Sequence, residues 1–483
     1  SGCTSGGTSG MTAGTQFWNI GWESPYNFFA QNVNWSTTTN PWNSTFISEL
    51  QAAKIKTLRF MDWNNTNSSS VKNWSQRIPK TANHYNVDNK VVLYRDDYNS
   101  TTNTHTLVAD AKTGYGVAYE WQIDLCNRIG ADLWINTPIQ ASPDYLNQLA
   151  TLIKNNLNSN LKVYVEYANE TWNTGFCTWV YAYQQGKALG LDKLNYNGAY
   201  VEPWWAYQVY AAVRVFEQFE NVFGTNNARI VKVLGGQVGY HWPGYDYNHQ
   251  TIGHLTCLNN STINPKGITV NAYAMAPYMG GKSINDQSTA INTEIQNMIW
   301  AKNSLKNTSI KLICYEGGSD NYPDNNLTLT RDAQQQSLYV KYLSGLAPYV
   351  DGPFNQYTFY GGPWGLKNVV GESASVASKW RGWIDYWVEG KRAKIGSDGP
   401  DSFESANESY SVFPNPATHS VTVNSAKEIH TIRIIGSMGN VVKSVSAHLG
   451  MNTIDINGVP TGIYSVVITD VNGKNESLKL AIQ

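Results

Sequence analysis

Between Gln16 and about Gly390 the chain alternates short apolar, β-rich runs with longer segments of helical period. A sequence that repeats strand and helix in this order can bury both faces of its strands only as a parallel sheet covered by helices. Eight such strand runs can be read: QFWNIGW, IKTLRFMDW, ADLWINTP, LKVYVEYANE, ARIVKVLGG, GITVNAYAMAPY, IKLICYEGG and FNQYTFYGG. Eight parallel strands in one α/β domain of this length favour closure into a (β/α)8 TIM barrel, with an open doubly wound sheet as the alternative. Between the fourth and fifth runs, Trp205, Val209, Ala212, Phe216, Phe219 and Phe223 recur at helical spacing and mark one buried face of a long helix. The segments SPDYLNQLATLIKNNL, DQSTAINTEIQNMIWAKNSL and RDAQQQSLYVKYLSGLAPYV supply further helices where a barrel needs them.

The barrel is expected over residues 15–392. Residues 1–14, within the small polar stretch SGCTSGGTSGMTAGT, read as a linker or a mature N-terminal tail left after processing. The stretches from Asn64 to Gly114 and after Gln237 are polar and longer than ordinary connections, and long loops on a barrel often shape the binding cleft. A polar linker at 393–409 leads to a second domain at 410–483. There HSVTVNS, IHTIRIIGS, NVVKSVS and IYSVVITD alternate apolar with polar residues between MGN, NG and TG turns, the pattern of a small all-β sandwich.

With 35 Lys and Arg against 36 Asp and Glu, and no basic block, the chain has no electrostatic footprint for nucleic acid or anionic lipid. No run of about 18 apolar residues is present to span a membrane. Its 18 Trp and 30 Tyr offer flat amphipathic rings of the kind that stack on sugars, although a barrel core claims part of them. Cys3, Cys126, Cys177, Cys257 and Cys314 form no CxxC pair, so neither a zinc site nor a full disulfide framework is indicated. Cys177 with Cys257 is the candidate bridge, while Cys126 and Cys314 read as small buried apolar residues.

Two segments carry the chemistry. In VYVEYANETWN the fourth strand ends in Asn169 and Glu170, and in IKLICYEGG the seventh ends in Glu316, followed by Gly317 and Gly318, which would let a ligand approach the backbone. Barrel active sites lie at the C-terminal ends of the strands. Glycosidic cleavage needs one protonated carboxyl group to donate to the leaving oxygen and a second carboxylate across the sugar, about 5 Å away in a retaining enzyme. Glu166 shares the strand face of Glu170 but lies deeper, as an interior structural carboxylate. A serine hydrolase would need a nucleophile elbow, and no G-x-S-x-G occurs. With no HExxH motif or clustered metal ligands either, hydrolysis without a cofactor is the simplest expectation.

Asn-Glu closing the fourth strand and Glu closing the seventh resembles the clan A retaining glycoside hydrolases, which include cellulases, mannanases and xylanases. The resemblance implies that Glu170 is the acid/base, Glu316 the nucleophile and Asn169 the amide that binds the sugar 2-hydroxyl. It further implies that Arg59 keeps the nucleophile ionised and that Tyr278 hydrogen-bonds it, with Tyr273 competing for that place. Trp364 would be an aromatic floor for the sugar, or else core. Several families of the clan place a histidine after strand three, where this chain has Asn136. Asn136 is a candidate to take over a hydrogen bond to the glycone and His241 to line the cleft, each with a solvated loop residue as the alternative. Trp18, Trp22, Trp63, Trp172 and Trp242, at or after strand ends, are candidate sugar platforms with core packing as the alternative.

The tail, through YSVFPNPAT and GIYSVVITD, resembles the C-terminal sorting domain of type IX secretion. That implies a secreted or cell-surface protein handled by this secretion machinery, with a generic carbohydrate-binding sandwich as the alternative. Together these readings point to an endo-acting enzyme on plant-type polysaccharide, first of all β-1,4-glucan. A β-mannanase, a xylanase and an exo-acting glycosidase of the same clan are alternatives, and a non-catalytic polysaccharide-binding surface protein is the alternative from another class.

Overall fold

The computed structural model describes residues 10–17, 27–84, 90–321, 324, 326–393, 410–413, 415, 417–425, 428–436 and 440–483. The chain divides into two compact units, Ser1–Ala393 and Lys394–Gln483.

In chain order the strands of the larger unit are β1 (Thr12–Gln16), β2 (Thr57–Arg59), β3 (Lys90–Asn99), β4 (Thr104–Tyr115), β5 (Asp132–Thr137) and β6 (Val163–Tyr167). There follow β7 (Ile230–Gly235), β8 (Ala272–Met275), β9 (Tyr278–Gly280), β10 (Lys311–Cys314), β11 (Gly318–Asp320) and β12 (Pro353–Gln356). Strands β1, β2, β5, β6, β7, β8, β10 and β12 pair in that order, all parallel, and β12 returns to β1 to close the barrel. The short parallel pair β9 and β11 follows β8 and β10 directly in the chain.

Six barrel strands fall inside runs read from the sequence, β12 starts one residue before its run, and the first strand departs from its run. It lies at Thr12–Gln16 rather than Gln16–Trp22, so the expected boundary between tail and barrel at residue 14 falls within it. The segment TAGTQ carries no apolar run because its neighbours need small residues: a Cβ on Gly14 would lie 2.2 Å from Asn355 Oδ1 across the β1/β12 pair. Met11 and Ala13 are nevertheless buried in the main core.

Inside the barrel, Trp134 and Tyr164 stack with their centroids 5.2 Å apart. They share a cluster with Val233, Ile313 and Tyr315, where Ala272, Ala274 and Ala276 leave the room that two large rings need. This apolar plug gives way to Gln16, Arg59 and Glu166, all buried, toward the C-terminal strand ends. Outside, the helix Pro203–Phe223 buries Trp205, Val209, Ala212, Phe216, Phe219 and Phe223. The helix Pro143–Asn156 starts at Ser142, whose side chain accepts from the Tyr145 N–H.

The polar stretch from Asn64 to Gly114, expected to be loop, contains the antiparallel hairpin β3–β4. Exposed Asp97 and Tyr98 obscure its alternation in the sequence. It rests on the helix Cys177–Ala188, where Gln184 Nε2 donates to the His105 carbonyl at 2.9 Å and Trp179 meets the His105 ring edge-on. Cys257 is a free thiol buried beside Tyr196, and Cys177 Sγ faces the Tyr94 carbonyl at 3.6 Å. The candidate bridge is therefore not formed.

The smaller unit holds two antiparallel sheets. One comprises Tyr410–Phe413, Ser420–Ser425 and Gly450–Asp455, and the other Ile429–Ile435, Val441–Ser446, Gly462–Asp470 and Asn475–Ile482. Val421, Val423, Ile432, Ile434, Val466, Ile468 and Leu480 form its separate core, with the period-two alternation of a β-sandwich.

Candidate active site

Arg59, the last residue of β2, is fully buried and organises the polar layer. Its Nε and Nη2 donate to the two oxygens of Glu166 at 3.0 and 3.1 Å, as a planar guanidinium can do and an ammonium cannot. Nη1 donates to Glu316 Oε1 at 2.8 Å and to Gln16 Oε1 at 3.0 Å, and Nη2 also donates to Asn169 Oδ1 at 2.6 Å. Burial alone would weaken this cation, but the charges of Glu166 and Glu316 more than offset that and hold its pKa above the ordinary guanidinium value. Glu166 also accepts from Trp134 Nε1 and Asn136 Nδ2, each at 2.8 Å. All its donors are protein groups, so it serves the interior.

Glu316 and Glu170 differ in their surroundings. Glu316 Oε1 takes the Arg59 bond, and Oε2 accepts from the Tyr278 hydroxyl at 2.7 Å. A guanidinium and a phenol therefore each donate to one of its oxygens. Glu170 forms no ion pair among the described residues; Oε1 accepts from the Tyr315 hydroxyl at 2.8 Å and Oε2 from Asn173 Nδ2 at 2.9 Å. Burial and the negative charge of Glu316 push its carboxyl up to about 7, against the smaller pull of those two donors. Its backbone has φ +38 and that of Ala168 φ +52, left-handed values that non-glycine residues seldom adopt outside functional sites. Asn136 Nδ2 helps to hold this turn by donating to the Ala168 carbonyl at 2.8 Å.

The structure thus brings Glu170, Glu316, Asn169, Arg59 and Tyr278 into one connected cluster. Tyr273 turns elsewhere, its hydroxyl 2.8 Å from His254 Nδ1. Asn136 is neither solvated nor a cleft wall, because it is fully buried beneath Glu166 and the Ala168 turn. Trp63 is core: it is 1% exposed and stacks on Phe17 and Trp42. His241 lies flat on Trp300 with centroids 3.4 Å apart and meets the Tyr245 carbonyl, so none of these contacts is with the glutamate cluster. Trp22 and Trp18 lie outside the described residues. Trp172 is half-buried and meets Tyr315 edge-on, whereas Trp242 is exposed and stacks on His249. Trp364 is half-buried, held by Nε1 on Asp320 Oδ1 at 2.9 Å and by its carbonyl on Gln356 Nε2 at 2.9 Å. Gly317 and Gly318 are required by packing, since a Cβ would lie 2.7 Å from Phe354 at the first and 2.5 Å from Gln356 at the second.

Sequence reasoning missed Tyr315, Asn173, Asp62 and Tyr357. Tyr315 could have been found two residues after Ile313, with which it shares the interior cluster, since alternate residues share a face. Asp62 and Tyr357, in turns after β2 and β12, carry no pattern; the charges of both glutamates act on each of them. Among the described residues no group of three or more His, Cys, Asp or Glu side chains could hold a metal ion.

Residues 411–483 match the family model described as a secretion system C-terminal sorting domain. The tail is a type IX sorting domain and directs the chain to the cell surface or the extracellular space. No helix among the described residues is long and apolar enough to cross a membrane. No curated protein sequence matches the chain. Among solved structures, the arabinofuranosidase from Xanthomonas axonopodis pv. citri has 11% identity and TM-score 0.45, over 98% of this chain and 95% of that one. The family 51 alpha-L-arabinofuranosidase from Bifidobacterium longum has 9% identity and TM-score 0.45, over 97% and 93%. A Cellulomonas fimi endo-beta-1,4-mannanase double mutant has 11% identity and TM-score 0.35, over 76% and 80%. The (β/α)8 architecture stands on the strand pairing of this chain itself.

Replacing Arg59 by Met would leave Glu166 and Glu316 buried without their cation. The expected cost is about 3–5 kcal/mol of stability in urea denaturation, because an unpaired buried charge costs more than the pair contributes. Arg59→Lys should recover only part of it, since an ammonium cannot match both Glu166 oxygens.

Proposed function

We propose that the barrel unit is a retaining glycoside hydrolase of the clan A type, acting on polysaccharide outside the cell. One observation carries this reading: two glutamates at the ends of β6 and β10 act on each other electrostatically yet sit in opposite settings. Arg59 and Tyr278 both donate hydrogen bonds to Glu316, whereas burial and the charge of Glu316 push the Glu170 carboxyl up to about 7. Two carboxyl groups held in such different settings can divide into nucleophile and acid.

Glu316 attacks the anomeric carbon while Glu170 gives its proton to the departing glycosidic oxygen. A glycosyl ester on Glu316 results, and the Glu316 charge that raised Glu170 is gone. Glu170, now a carboxylate, takes a proton from water as that water displaces the ester, and the sugar leaves with its original anomeric configuration. Asn169 is held by Arg59 through Oδ1 and by Asn67 through Nδ2, with one amide hydrogen to spare for the sugar 2-hydroxyl. The half-buried rings of Trp172, Tyr278, Tyr357 and Trp364 support an aromatic-lined cleft. β-1,4-Glucan cleaved within the chain is the substrate we favour.

The reading is tested by product analysis on β-glucan, mannan, xylan and arabinan with the full chain and with Glu170→Ala and Glu316→Ala. Cleavage by the parent, with retained anomeric configuration by NMR and a loss of at least about 1,000-fold in both variants, is expected. Binding without cleavage by all three proteins would instead favour a polysaccharide-binding surface protein.

The protonated form of Glu170 is the active one in the first step, so kcat/KM should fall as pH rises through about 7. Tyr315→Phe removes a hydrogen bond that favours the carboxylate, so this limb should move to higher pH. A shift to lower pH would contradict the assignment of the acid.

A further inference from the structure

A third carboxyl group belongs to this site and takes no part in the steps above. Asp62 opens the short turn Asp62–Asn64 that follows β2, just beyond Arg59. Its Oδ2 is buried and has no hydrogen-bond partner among the described residues. Its polar neighbour is the hydroxyl of Tyr357, whose ring lies edge-on to Tyr278 with centroids 6.4 Å apart and to Trp364 at 5.4 Å. The charges of Glu316 and Arg59 both act on Asp62, and Tyr357 links it to the ring of Tyr278, whose hydroxyl holds Glu316. A buried carboxyl oxygen without a partner in a cleft calls for a ligand group to complete it.

We propose that Asp62 hydrogen-bonds a hydroxyl group of the sugar on the nucleophile side of the cleft, and so helps to select which glycoside the barrel accepts. This inference rests on the glycosidase reading above. Burial and the charge of Glu316 raise the Asp62 carboxyl to about 8, so it keeps its proton at neutral pH. A neutral carboxyl group both donates and accepts, as a hydroxyl does, and adds no further negative charge beside the glutamate pair. A site built to bind a hydroxyl rejects a sugar that lacks it far more strongly than an apolar wall can, because the buried group is then left unpaired.

The test uses the full chain with nitrophenyl β-glucoside, β-mannoside, β-xyloside and α-arabinofuranoside, then the monodeoxy series of whichever is cleaved fastest. Wild type, Asp62→Ala, Asp62→Asn, Glu170→Ala and Glu316→Ala are compared, with thermal unfolding as the check on folding. Asp62→Ala should lower kcat/KM roughly 100-fold, and Asp62→Asn, which keeps a donor and an acceptor, roughly 10-fold. At one hydroxyl position the deoxy substrate should cost wild type roughly 100-fold and Asp62→Ala under about 3-fold, a coupling that a merely structural role would not produce. Cleavage that depends on both glutamates but shows no such coupling at any position overturns the role of Asp62 and leaves the glycosidase reading standing. No cleavage of any glycoside or polymer overturns both.

Discussion

The guanidinium of Arg59 is the interaction on which the site depends. It lies where the apolar plug of the barrel gives way to polar side chains, and it ties together strands that meet only through barrel closure: Gln16 from β1, Glu166 and Asn169 from β6 and its turn, and Glu316 after β10. A buried cation is tolerable only if its donors are met, and here they are met by carboxylate and amide oxygens in fixed directions. The geometry of the site and the stability of the barrel interior are thus the same problem.

From that anchor the difference between the two glutamates follows. Glu316 shares the cation, while Glu170 is set on a left-handed turn supported from below by Asn136 and meets only neutral donors. A carboxyl group in that position feels burial and the Glu316 charge with little to oppose them. Glu166 pays no part in this contrast because its two oxygens are spent on Arg59, Trp134 and Asn136.

Much of this was legible in the sequence. Strand ends with a carboxylate, an arginine in a TLR strand and a tyrosine at the end of APY all fall on the C-terminal side of apolar runs, and the resemblance to the clan A hydrolases supplied the expectation that they meet. What strand order cannot show is which way a side chain turns once the strand is over. Trp63 turns back into the core, His241 onto Trp300 and Asn136 onto Glu166 and the Ala168 carbonyl, and those directions are set by partners far away in the chain. The first strand was misplaced because TAGTQ is buried by its neighbours rather than by its own hydrophobicity. The hairpin β3–β4 was hidden by the exposed polar residues that alternate along it.

The most direct test of the account is to trap the ester it requires. An activated fluorosugar of the glycoside the protein cleaves, incubated with the full chain, should add one sugar mass to the intact protein, and peptide mapping should place it on Glu316. Turnover of the natural sugar with no trapped adduct, or an adduct on Glu170, Glu166 or Asp62, would contradict the division of labour that Arg59 is held to impose.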